Sequence, residues 1–236
     1  GNPADIEGLK AVAEKHNLLL LQDAAQSLGG IYRNKLLGAQ TPISTMSFHM
    51  AKVMTTVEGG MIFTHSEEVA EELRVRRNQG ESAKYIHSHL GTNARMMDLC
   101  AAIGLAQFEK LPWMLRERQR VAKRYDAHFK NHDKIQVTCC HQLDSANAYF
   151  FYPVMVDSRN VVVDKLKEKG IDTRIAYPMP VYKQDLYRKN GREAYRKMSC
   201  PVAEQFTSRV INLPIFPSLR DDQVDIVASE LLKALA

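Results

Sequence analysis

The chain has 236 residues, 45% hydrophobic and 25% charged, with a formal net charge of +5 and an isoelectric point near 9.0. That composition belongs to a packed globular protein of one large domain or two smaller ones, without repeats or low-complexity tracts. No apolar run is long enough to span a bilayer, no signal sequence opens the chain, and no nucleic-acid-reading motif accompanies the dispersed Lys and Arg, so neither membrane nor nucleic acid is an expected partner.

Residues 3–16 read as a helix, with Asn2 as N-cap, Pro3 as first helical residue, and Ile6, Leu9, Val12 and Ala13 as its apolar stripe. A chain that opens on a capped helix, with no initiator Met and no leading strand, reads as cut from a longer one. Residues 18–21 are four leucines and read as a buried parallel strand. Asp23 then falls at its carboxyl end, the edge of an open α/β sheet where ligands bind. Residues 31–39 read as a hairpin turning at Asn34, and 43–48 and 59–64 as further strands. Residues 66–80 read as a helix capped by Ser66, acidic in its first turn, basic in its last and ended by Gly80. Residues 96–111 form a strongly apolar helix, buried or in an interface, and 113–131 a helix with a basic solvated face.

A domain boundary is expected near 112, dividing 1–112 from 113–236. In the second part, 148–156 reads as a strand, 159–170 as a helix closed by Gly170, 171–177 as a strand, 177–187 as an aromatic, proline-bearing loop and 221–235 as an amphipathic helix. The expected fold class is α/β: a mostly parallel sheet with flanking helices, followed by a small α+β domain.

Cys100, Cys139, Cys140 and Cys200 have no CxxC spacing and read as reduced thiols of a cytoplasmic protein. The histidines form no metal-ligand pattern, so no metal is expected. Lys52 is the one unusual residue: from Gly38 to Val57 it is the only Lys, Arg, Asp or Glu. Taken alone it fits a snorkelling surface lysine, and Asp23 fits a cap or loop residue. Taken together they fit other chemistry. An amine in an uncharged stretch is desolvated and becomes a nucleophile. A carboxylate in the same crevice is the partner that keeps the ring nitrogen of pyridoxal phosphate (PLP) protonated, and Ser47 with nearby amides can hold a phosphate.

The stretches "GNPADIEGLKAVAEKHNLLLLQDAAQSLG", "SFHMAKVMTTVEGGMIFT", "GTNARMMDLCAAIGLAQFEKL", "GIDTRIAYPMPVYKQDLY" and "LPIFPSLRDDQVDIV" resemble, in order, the DegT/DnrJ/StrS family of PLP-dependent sugar aminotransferases, of fold type I. The resemblance implies that 1–112 is part of the large PLP-binding domain, 113–236 is the small C-terminal domain, and the family's N-terminal third is missing. It implies Lys52 as the lysine bound to PLP, Asp23 as the ring-nitrogen partner, Gln26 against the ring, Ser47 on the phosphate and Asn93 reaching the phosphate of the neighbouring subunit. Arg95 and Tyr177 are implied at the substrate. It also implies a homodimer with shared active sites, an amino-acid donor, usually glutamate, and a keto-sugar acceptor, usually nucleotide-linked, including the acceptors used in polysaccharide or antibiotic sugar biosynthesis. A cyclitol ketone is an alternative acceptor, and a non-catalytic or truncated family member an alternative role. A PLP-dependent sugar dehydratase is disfavoured, because those relatives carry His where Lys52 stands. The sequence departs from the family at Ala176 and Tyr182, where His is frequent, and at Gln22, where an acid is.

Overall fold

The computed structural model describes residues 1–138, 144–190, 195 and 197–236. The chain divides into two compact units, Gly1–Arg116 with Cys140–Phe150, and Glu117–Cys139 with Phe151–Ala236. Cys100 and Cys200 are free thiols. Cys139 and Cys140, expected to be reduced, lie outside the described residues.

In the first unit, helix α1 (Ile6–Lys15) begins later than the sequence indicates. Its N-cap is Asp5 rather than Asn2: the Asp5 carboxylate accepts from the Gly8 amide at 3.1 Å and from the Tyr32 hydroxyl at 2.6 Å. Those bonds, the tyrosine's foremost, hold the Asp5 carboxyl below its ordinary range. Of the apolar stripe only Ile6 and Ala13 are buried, Ile6 in a cluster with Tyr32 and Leu37, while Leu9 and Val12 stay exposed.

Strand β1 (Leu21–Asp23) starts where the leucine run ends, and Leu18 and Leu19 are 63% and 89% exposed. The expected buried strand is therefore corrected to a short edge strand with a single neighbour, and an apolar run is buried only where both its faces are covered. Hairpin strands β2 (Ile31–Tyr32) and β3 (Lys35–Leu36) follow. Their turn residues, Arg33 and Asn34, both have left-handed φ, 48° and 61°, as a two-residue hairpin turn demands. Strand β4 (Ile43–Ser47) lies between β1 and β5 (Gly60–Thr64). It runs parallel to β1, with Asp23 opposite Thr45, and antiparallel to β5, with Ser47 opposite Gly60. The pairing is thus mixed rather than mostly parallel, because β4 and β5 are joined by a loop and not by the crossover helix that parallel neighbours need.

Helix α2 (Glu67–Arg77) is capped by the Ser66 hydroxyl, which accepts from the Val69 amide at 3.2 Å. Gly80 follows with φ 74°, and a Cβ there would sit 1.7 Å from the His89 carbonyl oxygen. Only glycine lets the small hairpin of β6 (Glu81–Ala83) and β7 (Ile86–His87) return this closely.

Helix α3 (Asp98–Phe129) is a single element that continues through Pro112, where the sequence indicated two. Leu111 and Met114, on either side of the proline, are both buried, so packing outweighs the missing amide. The division between the compact units falls after Arg116, within this helix, and residues 144–150 belong with the first unit. The apolar first half of α3 is not buried in the chain by itself: Leu99, Leu105 and Phe108 are exposed.

The second unit carries a three-stranded antiparallel sheet, β10 (Val210–Leu213), β9 (Tyr152–Met155) and β8 (Gln136–Val137) in that order. With it come α4 (Arg159–Glu168), α5 (Asp185–Asn190), α6 (Pro201–Arg209) and α7 (Asp221–Ala234). Its core holds Tyr125, Phe129 and Tyr152, whose ring centroids lie 4.9–6.5 Å apart. The expected strand 171–177 is reduced to one bridge, Arg174 to Asn212. The Asn212 side chain donates to the Arg174 carbonyl at 2.8 Å, and Pro178 and Pro180 just beyond have no amide with which to extend a ladder.

Candidate active site

The loop 48–59 between β4 and β5 is tied to itself. The Phe48 amide donates to the Gly59 carbonyl at 2.8 Å, and the Phe48 carbonyl accepts from the Thr56 amide at 2.9 Å and the Thr55 hydroxyl at 3.2 Å. The Thr55 hydroxyl oxygen accepts from the Val57 amide at 2.8 Å, which holds this β-branched residue at φ 72°. Such a conformation persists only where its surroundings over-determine it, and it is concentrated at functional loops. Phe48, Val53, Met54 and Thr56 are buried and anchor the loop. Gly104 of α3 lets Thr56 approach, since a Cβ there would meet the Thr56 methyl at 2.8 Å.

Within this loop a tight turn presents Lys52. Its amide donates to the His49 carbonyl at 2.9 Å, and the Ala51 amide donates to His49 Nδ1 at 3.2 Å. His49 Nε2 faces Glu58 Oε1 at 3.6 Å. Lys52 is partly buried, and its Nζ lies 4.8 Å from the centroid of the Phe150 ring. Among the described residues no carboxylate stands within the 4.0 Å of an ion pair with Lys52.

Asp23 ends β1 and is exposed, with Oδ1 accepting from the Ala25 amide at 3.0 Å. The Ala24 amide donates to the Thr45 carbonyl at 2.9 Å, which prolongs the parallel pair. Ser47 ends β4, and its hydroxyl accepts from the His49 amide at 3.4 Å. Gln26 follows Asp23 in the turn before the hairpin and is partly buried. Asp23, Gln26, Ser47 and Lys52 thus all belong to the carboxyl edge of β1 and β4.

Asn93 and Arg95 are placed elsewhere in the first unit. Their segment runs along the end of α2, where the Thr92 and Ala94 amides donate to the Arg76 and Arg77 carbonyls, each at 2.9 Å, and Arg95 donates to the Asn78 side chain. Both residues are exposed. Tyr177 lies in the second unit and is half-exposed. Among the described residues no group of three His, Cys, Asp or Glu side chains is placed to hold a metal, and no helix is long and apolar enough to cross a membrane.

The first unit can be tested against PLP by its donors. The cofactor brings an aldehyde, a ring nitrogen that is basic, and a phosphate. The β1–β4 edge offers one group for each: an amine without an ion-pair partner among the described residues, an exposed carboxylate, and a hydroxyl at a strand end. The residues present fit the group.

A family model for the DegT/DnrJ/EryC1/StrS aminotransferases matches residues 1–232. The chain belongs to this family. It is 32% identical over 233 residues to a "Pleiotropic regulatory protein" of Geobacillus stearothermophilus, covering 98% of this chain and 62% of that protein. It is also 32% identical over 236 residues to the GDP-perosamine synthase of Escherichia coli O157:H7, again covering 98% and 62%. Among solved structures it resembles DesV of Streptomyces venezuelae, with TM-score 0.92 and 30% identity over 99% of this chain and 62% of that one. The chain therefore spans about three fifths of the length of the relatives it matches.

Tyr182 lies in the second unit. The Tyr182 hydroxyl donates to Glu204 Oε1 at 2.5 Å and accepts from the Cys200 amide at 2.9 Å, and Lys183 Nζ pairs with Glu204 Oε2 at 2.7 Å. The lysine first and the tyrosine second hold the Glu204 carboxyl at about 2, against an ordinary 4.5. A depressed carboxylate contributes stability above its unfolded-state value and loses it as the pH falls toward its folded one. The melting temperature is thus expected to decline between about pH 4.5 and 2 in part through Glu204, and Glu204→Gln to flatten that part of a melting-versus-pH curve.

Two neighbours of Lys52 escaped the sequence reading. His49 shapes the turn and is visible in hindsight as the ring three residues before the lysine. Phe150 carries no local signal, since only the fold brings it to Lys52.

Proposed function

We propose that this family member carries the lysine-bearing part of a PLP-dependent sugar aminotransferase, which moves an amino group from an amino acid, glutamate, to a keto sugar linked to a nucleoside diphosphate. PLP, when bound, would supply an aldehyde for the amine and a protonated ring that draws electrons from the substrate carbon. Lys52 would hold that aldehyde and, when free, would carry the proton at Nζ. Asp23 keeps the ring nitrogen protonated, Gln26 lies against the ring, and Ser47 holds the phosphate. Asn93 serves the phosphate of a second subunit in a homodimer, and Arg95 and Tyr177 face the substrate. Residues 1–112 are part of the large PLP-binding domain, 113–236 are the small C-terminal domain, and the enzyme works in the cytoplasm.

The observation that carries this reading is the single amine of the 38–57 stretch, held by a stitched loop at the same sheet edge as Asp23 and Ser47. Relatives named as an aminotransferase of a UDP-linked sugar, a GDP-perosamine synthase and a transaminase of a dTDP-linked sugar support the acceptor class. The net charge of +5 suits a diphosphate-bearing substrate. A non-catalytic member is the second reading, supported by the relative named as a pleiotropic regulatory protein.

The test has two stages. PLP mixed with the chain and reduced with borohydride is expected to leave a pyridoxyl group on Lys52, found by peptide mass spectrometry. Label scattered over other lysines overturns the site. With Lys52 labelled, glutamate is then expected to convert the bound cofactor to its amine form, and failure of that step favours the non-catalytic reading.

A further inference from the structure

Residues 144–150 join the first unit from far along the chain, and their hydrogen bonds run to its beginning. Ala146 and Ile31 exchange both backbone bonds, at 2.8 and 2.9 Å, and the Asn34 amide donates to the Asp144 carbonyl at 2.8 Å. The Asn147 side chain donates to the Asn2 side-chain oxygen at 2.5 Å. Asn147 Oδ1 in turn accepts from the Tyr149 amide at 2.6 Å, which holds Tyr149 at φ 49°. A bulky aromatic residue in the left-handed region is strained and needs a reason. The consequence of that turn is the next residue: the Phe150 ring, 8% exposed, lies with its centroid 4.8 Å from Lys52 Nζ.

We propose that Phe150 is the positioning residue for the Lys52 amine, holding it by its ring face as the ammonium ion whenever the amine is free. The negative face of an aromatic ring attracts a cation within about 6 Å of its centroid, and more strongly where water is excluded. Among the described residues no competing anion intervenes. On the lysine's own loop Glu58 is turned to His49 at 3.6 Å, and Asp23 on β1 accepts from the Ala25 amide. Among the described residues no carboxylate lies within 4.0 Å of Lys52 Nζ. The hairpin of β2 and β3, the Asn2–Asn147 pair and the strained Tyr149 thereby serve one purpose, a rigid seat for a mobile amine. The inference rests on the reading of Lys52 as the reactive lysine, and it adds what holds the Lys52 side chain in place between transfers.

The test grades the ring's electrons without changing its shape. Phe150 is replaced by phenylalanines bearing one, two and three ring fluorines, and the acetylation rate of Lys52 in the 236-residue chain is measured at pH 8 by peptide mass spectrometry. Lys10 and Lys165 serve as internal references, and the melting temperature of each variant reports whether it is folded. A weakened ring face holds the Lys52 side chain less tightly, so the Lys52 rate is expected to rise stepwise with fluorine number, by at least about threefold at three fluorines. Phe150→Leu is expected to exceed that rise and Phe150→Tyr to match the native ring. A Lys52 rate indifferent to fluorination, with the references unchanged, overturns the proposal. Borohydride labelling of the native chain separates the two readings. Label on Lys52 with a flat fluorine series removes Phe150's role alone. A fluorine response without label on Lys52 leaves Phe150 as the lysine's seat and removes the aminotransferase reading.

Discussion

On the proposed reading, in which one side chain is both the covalent anchor and the proton carrier, Lys52→Ala is expected to lower glutamate-dependent amino transfer by at least about 10³-fold. The fold is expected to survive. Lys52 makes no ion pair among the described residues, and what is lost is one contact with the Phe150 ring, worth about 0.5–2 kcal/mol. A companion substitution separates charge from chemistry. Lys52→Arg keeps a cation over the ring, but a guanidinium stays protonated and cannot act as the amine. It is expected to be as inactive as Lys52→Ala while retaining the native urea midpoint. Turnover at the native rate in either variant, followed by the absorbance of the bound cofactor, would falsify the assignment. A large loss of stability in both would point instead to a structural lysine.

Asp23→Asn is expected to leave the borohydride label on Lys52 intact and yet slow amino transfer by about 10²- to 10⁴-fold, the range typical of removing a catalytic proton-holding group. The two side chains have the same shape, and an asparagine oxygen can still accept from the Ala25 amide as Asp23 Oδ1 does at 3.0 Å. What the amide lacks is the negative charge that keeps a ring nitrogen protonated, and a charge-assisted bond is roughly twice as strong as a neutral one. Asp23→Ala removes the turn-forming acceptor as well, so its defect should include weaker labelling. Equal single-turnover rates for the native chain and Asp23→Asn would place the carboxylate outside the chemistry.

Much of the local structure was legible because neighbours along the chain decide it. Asn34 announced its hairpin, and Ser66 capped its helix through its own hydroxyl. Gly80 and Gly170 both adopt the left-handed φ, 74° and 72°, that glycine takes without penalty. The cap of α1 was misplaced by three residues because Asn2 and Asp5 are both good caps. The choice fell to Asp5, which a distant tyrosine also engages. The leucines before β1, the strand expected at 171–177 and the break expected at Pro112 were misread for a related reason. Whether an apolar run is buried, a strand is paired or a proline is tolerated depends on what lies beside it.

The sequence by itself determined the family and singled out Lys52, Asp23, Gln26 and Ser47, because isolated charge and motif spacing are properties of the chain. Only the tertiary structure decided that the sheet is mixed and that α3 is continuous. It also decided that Asn93 and Arg95 lie at the end of α2 and that the face of Phe150 lies against the Lys52 amine. Each of these rests on contacts between segments far apart along the chain, and no local propensity encodes which distant side chain will fill a given space.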